Sequence, residues 1–154
     1  MRQEKNKIPI TILVCDDDED DRMLTEQALE DAHVSNDVRF VQDGEQLLDY
    51  LYQRGEYAGE TGTAPRPGLI LLDLNMPKMD GREALKIIKG DKMLHDIPIV
   101  VLSTSSLDMD IVKSYQLGVN SFITKPVTFP GLVDAMNVLG RYWLEIVELP
   151  PVPQ

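Results

Sequence analysis

Five residues able to do chemistry stand at the ends of four short apolar runs. Asp16 and Asp17 follow Ile10–Cys15, Asp73 follows Leu69–Leu72, Ser103 follows Ile97–Leu102, and Lys125-Pro126 comes just after Phe122-Ile123. Two carboxylates at the end of an apolar segment suit a hard divalent cation, Mg²⁺ foremost. A third carboxylate, a hydroxyl and a lysine in the same crevice suit phosphoryl transfer onto a carboxylate. Asp73 would be the nucleophile. A cation would bridge a carboxylate and a phosphoryl oxygen, and Ser103 and Lys125 would contact the remaining oxygens. Each residue alone has an ordinary explanation: a turn aspartate, a capping serine, a solvated lysine. Their joint placement at run ends is what carries the chemistry.

The elements that must position these residues are legible from periodicity. The apolar runs are continuous rather than alternating, which suits strands buried on both faces of a parallel sheet. A weaker fifth run covers Val38–Val41. Helical spacing appears over Arg22–Ala32, Gln46–Tyr50, Gly81–Lys89 and Ile111–Leu117, the last ending at the capping glycine Gly118. A final helix starts near Thr128 and carries Phe129, Leu132, Val133, Met136, Leu139, Trp143 and Ile146 at spacings of three and four. Five β-α alternations with right-handed crossovers predict an α/β fold, an open parallel sheet with helices on both sides. Sites in such sheets lie beyond the carboxyl ends of the strands, where the strand order reverses.

Asp16 opens a run of six acids ending at Asp21. Asp18–Asp21 fit a helix start, where acids cap the first turn and oppose the helix dipole, or plain solvation. Pro77 and Gly81 frame a rigid loop after Asp73, with Asp80 as a cap. Gly55–Gly68 reads as a long loop, and the proline-rich tail from Leu149 must end the last helix. Cys15, the single cysteine, has no internal disulfide partner and reads as a small buried hydrophobe.

The chain has 154 residues and a formal charge of −11. That size suits one domain, expected over 1–154 with a core of about 8–147 and no output domain. The negative charge argues against nucleic-acid binding and against an anionic membrane surface. No apolar run approaches the ~18 residues of a membrane span, and no secretory signal is visible. A cytoplasmic location is expected.

The ordered set ILVCDDDEDD, LILLDLNMPKMDG, PIVVLSTSS and ITKP resembles the receiver domain of two-component response regulators, over about Ile10–Leu139. The resemblance implies a doubly wound (βα)5, flavodoxin-like fold with strand order 2-1-3-4-5. It implies that Asp73 is the phospho-acceptor, fed by a histidine kinase. It implies Mg²⁺ on Asp17 directly, with Asp16 helping through water and Asp73 and the Asn75 carbonyl as further ligands. Ser103 and Lys125 would contact the phosphoryl group, and Ser103 and Phe122 would form the switch. Asn75 and Ser105 fall where the family tunes autodephosphorylation. The long Gly55–Gly68 loop, DLNMPKMDGREAL and RYWLEIVELP are similar to the response regulators of cyanobacterial phytochromes, which implies a phytochrome-type kinase as phosphodonor. Output would pass through protein contacts, with a homodimer expected through the fourth helix, fifth strand, fifth helix and C-terminal segment. Such a domain assists its own phosphorylation without being an enzyme in the usual sense.

Three rivals are weaker. A haloacid-dehalogenase-type phosphatase could use Asp16-x-Asp18, but it needs a further acidic pair after the lysine. Only the scattered Asp134, Glu145 and Glu148 follow Lys125. A calcium loop starting at Asp16 would need Gly and Glu where Asp21 and Gln27 stand. A docking receiver that is never phosphorylated would have little use for the intact set of acids, Ser103 and Lys125.

Overall fold

The computed structural model describes residues 10–34, 36–59, 64–73, 81–103, 116, 118–119 and 121–141. Five parallel strands form one sheet: β1 (Thr11–Cys15), β2 (Asp37–Val41), β3 (Pro67–Asp73), β4 (Ile99–Ser103) and β5 (Ser121–Thr124), in the order β2-β1-β3-β4-β5. Four helices are described: α1 (Glu19–Asp31), α2 (Gly44–Tyr52), α3 (Gly81–Lys89) and α4 (Phe129–Leu139), with a 3₁₀ turn at Gly55–Tyr57. The helix expected over 111–117 lies outside the described residues except for Gln116. Gly118, its expected cap, has φ +100°, a backbone that favours glycine.

The continuous apolar runs are explained by the two faces of the sheet. Successive strand side chains point to opposite sides. Leu13, Cys15, Ile70, Leu72, Ile99 and Val101 pack on one face with Leu47, Leu48, Leu85 and Ile88 of α2 and α3. Ile12, Val14, Leu69, Leu71, Val100 and Leu102 pack on the other with Ala28 and Leu29 of α1 and Met136 and Leu139 of α4. Fully burying such side chains contributes roughly 1.5–3 kcal/mol each, so neither face can be exposed cheaply. The edge strand β2 is only half-buried until Val41, which is why its run is weaker in the sequence.

Side chains cap three helix starts, at Asp18 and Thr128 where a helix start was expected and at Asp43; the expected cap Asp80 lies outside the described residues. Asp18 caps α1, its carboxylate accepting from the Asp21 amide at 3.0 Å. Asp43 caps α2, accepting from the Gln46 amide at 2.8 Å. Thr128 caps α4, accepting from the Gly131 amide at 3.1 Å. α1 begins three residues before the apolar periodicity does, because its first turn is Glu19, Asp20 and Asp21. β3 likewise begins at Pro67 rather than Leu69, with a register shift where it meets Thr11. Proline is tolerated there because the first strand residue need not donate to the ladder.

Described residues of the stretch expected as an irregular loop pack around Tyr50. The Tyr50 hydroxyl donates to the Pro65 carbonyl at 2.8 Å, and its ring meets Tyr57 edge-on at 5.1 Å. Gln53 donates to the Ala64 carbonyl at 3.1 Å. Trp143, Ile146 and the proline-rich tail lie outside the described residues.

Candidate functional site

β1 is flanked by β2 on one side and β3 on the other, so the chain order reverses between β1 and β3. A crevice must open there at the carboxyl ends of the strands. Asp16 extends β1 by one bond, its amide donating to the Val41 carbonyl at 3.1 Å. The chain then turns into α1. The Asp16 carboxylate accepts from the Asp18 amide at 3.0 Å, and Arg22 donates to the Asp16 carbonyl at 2.8 Å. This turn buries Asp16, 3% exposed, and leaves Asp17 in solvent. Asp73 closes β3 and is 7% exposed.

The three carboxylates converge. One oxygen from each of Asp16, Asp17 and Asp73 lies within 4.8 Å of the other two. A dication with metal–oxygen bonds of about 2.0–2.6 Å fits among oxygens at that spacing, and an all-oxygen donor set suits Mg²⁺ or Mn²⁺.

Lys125 reaches this cluster from the far side of the sheet sequence. It directly follows β5, and its side chain is 14% exposed. Its ammonium donates to Asp16 at 2.9 Å, to Asp21 at 3.2 Å and to Asp73 at 3.2 Å, one acceptor for each of its protons. Burial pushes the Lys125 pKa down. The hydrogen bond to Asp16 and the charges of Asp73, Asp16 and Asp21 outweigh burial and leave it raised. The lysine is therefore a fixed cation rather than the solvated residue that a strand end would suggest.

Ser103 ends β4 beside Thr124 of β5; its side chain, with Asn75 and Ser105, lies outside the described residues. Phe122 pairs with Val101 across the sheet and packs, partly buried, on the face shared with α2 and α3. Cys15 is buried as expected and donates to the Asp43 carbonyl at 3.6 Å. Burial, and then the charges of Asp43, Asp16, Asp73 and Asp17, raise the Cys15 pKa well above the usual thiol range. It is no nucleophile at neutral pH. Asp21 is the residue that sequence reasoning missed. Its contact with Lys125 spans 104 positions, and only the β-α-β topology brings the two together.

The sequence pattern of the response regulator receiver domain matches residues 12–137. The response regulator Rcp1 of Synechocystis sp. (strain ATCC 27184 / PCC 6803 / Kazusa) is 39% identical over 150 residues, covering 97% of this chain and 99% of that protein. The crystal structure of the phosphorylated cyanobacterial phytochrome response regulator RcpA superposes with a TM-score of 0.85 at 43% identity, covering 94% of this chain and 100% of that one. The crystal structure of the Mn²⁺-bound form of Rcp1 gives a TM-score of 0.82 at 39% identity, covering 93% and 100%. Among the described residues no helix is long and apolar enough to cross a membrane.

Proposed function

Since the chain belongs to the response regulator receiver domain family, we propose that Asp73 accepts a phosphoryl group from the phosphohistidine of a sensor kinase. One observation carries this reading: the Lys125 ammonium binds Asp73 and Asp16 together, 3.2 and 2.9 Å away, at the strand-order switch point. A carboxylate oxygen of Asp73 forms the new O–P bond as the histidine N–P bond breaks, and the histidine leaves as imidazole. Lys125 is held where negative charge develops on the transferred oxygens, which is worth most in a site that excludes water. Asp16, Asp17 and Asp73, with the Asn75 carbonyl, would hold Mg²⁺. A bound dication would supply positive charge that offsets the negative charge of the carboxylates and of the group being transferred.

In this reading Ser103 and Lys125 sense the phosphoryl group, and Phe122 repacks on its face of the sheet as the switch. The likeness to RcpA and Rcp1 supports a phytochrome-type kinase as donor. Signalling then proceeds by protein contacts, including self-association through β5, α4, the segment preceding β5 and the C-terminal segment. A single receiver unit over 1–154, in the cytoplasm, fits this role.

The test is intact mass after incubation with Mg²⁺ and acetyl phosphate or a phosphorylated phytochrome-type kinase, with a sizing column on each sample. One phosphoryl adduct on wild type and none on Asp73→Asn is expected. An adduct that survives Asp73→Asn would refute the acceptor assignment. No adduct from either donor would move the protein to a docking role without phosphorylation.

A further inference from the structure

Asp21 lies in the first turn of α1, outside the carboxylate trio that can share a cation, yet its oxygen sits 3.2 Å from the Lys125 ammonium. Asp73 binds the same nitrogen at the same distance. The Asp21 and Asp73 oxygens therefore cannot be further apart than twice that length. Exposure separates their roles. Asp16 and Asp73 are buried, whereas the Asp21 side chain is 44% exposed and stands at the mouth of the site.

The charge count makes Asp21 decisive. Three carboxylates are balanced by one dication and one lysine, so Asp16, Asp17 and Asp73 with Lys125 and Mg²⁺ form a neutral set. Among the described residues Asp21 adds one further carboxylate, on the exposed side of Lys125. We infer that Asp21 is a specificity-determining positioning residue. It holds Lys125 from the solvent side and sets an anionic guard that disfavours highly charged small-molecule phosphodonors. A kinase offsets that repulsion with the binding energy of its protein surface, and a small anion cannot. This inference rests on Asp73 being the acceptor.

A unit charge at such separations, in a partly hydrated site, changes anion binding by about fivefold to tenfold. The experiment follows phosphorylation by intact mass at saturating Mg²⁺ against donor concentration. It compares wild type, Asp21→Asn, Asp21→Glu and Asp73→Asn. Acetyl phosphate, a dianion at neutral pH, is set beside phosphoramidate, which carries less net charge. Asp21→Asn should lower the half-saturating acetyl phosphate concentration about fivefold to tenfold, with a smaller gain for phosphoramidate. Asp21→Glu should behave as wild type. Inorganic phosphate, titrated by the amide shifts of Thr124 and Lys125, should bind Asp21→Asn more tightly by a similar factor.

Equal half-saturation in wild type and Asp21→Asn would overturn the inference. So would an equal gain for both donors, or adducts on neither protein. Adducts that persist in Asp73→Asn would instead sink the acceptor assignment on which the inference stands.

Discussion

Lys125→Met keeps the length of the side chain and removes its charge. In the wild type the ammonium lies between Asp16, Asp21 and Asp73 at 2.9, 3.2 and 3.2 Å. Without it, two buried carboxylates face each other and Asp17 with their oxygens within 4.8 Å. Like charges about 4 Å apart repel by about 4 kcal/mol at the effective permittivity of a protein surface. Removing one partner of a buried ion pair costs about 3–5 kcal/mol. Asp17 and Asp21 reach solvent and relieve part of this, so a loss of about 3 kcal/mol is expected in EDTA at pH 7. Urea unfolding reads it directly, provided the slope with denaturant is unchanged. Mg²⁺ should shrink the deficit, because a cation meets no competing ammonium in the variant. A tenfold tighter Kd returns about 1.4 kcal/mol at saturating metal. The Lys125 pKa is raised above the ordinary 10.5, so its contribution is complete below that value and fades as pH climbs beyond it. The deficit should therefore stay flat from neutral pH to about 10 and narrow above. A loss below about 0.5 kcal/mol in EDTA, or equal losses with and without Mg²⁺, would refute the reasoning.

Two further outcomes are expected. Asp17→Asn removes one of the three convergent carboxylates and should weaken Mg²⁺ by about tenfold or more; unchanged affinity in a calorimetric titration would dismiss the metal assignment. Tyr50→Phe should cost about 1 kcal/mol at neutral pH, through the lost hydrogen bond to Pro65. Burial raises the Tyr50 pKa from 10.0 to about 12, so the native state keeps a proton that the unfolded chain releases above 10. Wild-type stability should fall between pH 10 and 12 by about 2 kcal/mol from this group, and Tyr50→Phe should flatten that part of the urea midpoint against pH.

Much of this architecture was legible because burial on two faces leaves continuous apolar runs, and because helix starts carry their own capping chemistry. Val14 and Cys15 serve opposite faces of one strand, so the run reads as apolar throughout. What was less legible had local physical causes. The start of α1 is hidden because its first turn is acidic and buries nothing before Thr25. The 3₁₀ turn at Gly55–Tyr57 sets the Tyr57 ring edge-on to Tyr50, a contact that no apolar periodicity announces. Of the site, Asp16, Asp17, Asp73 and Lys125 could be placed because each follows a strand. The partners of Lys125 could not be read from spacing, since they lie 52 to 109 positions away.

The run of six acids shows how one sequence feature divides among several tasks. A block of like charges should repel itself, at roughly 1 kcal/mol per pair at 4 Å in water. The backbone prevents them from acting as a block. Asp16 is still extended, bonded to Val41, and turns its carboxylate into the crevice. Asp17 follows with its carboxylate exposed yet still within reach of Asp73. Asp18 turns to cap the helix, and Glu19 and Asp20 stay in water beside the positive end of the dipole. Asp21 stands in the first turn of α1, three residues after the Asp18 cap, on the side that looks at the crevice. There it meets Lys125. Strand, cap and first turn thus place three of six consecutive acids in the candidate cation site or on its lysine. The other three stabilise the helix that follows. The charge of the site is set by where α1 begins, and the Asp18 cap is the residue that fixes that point.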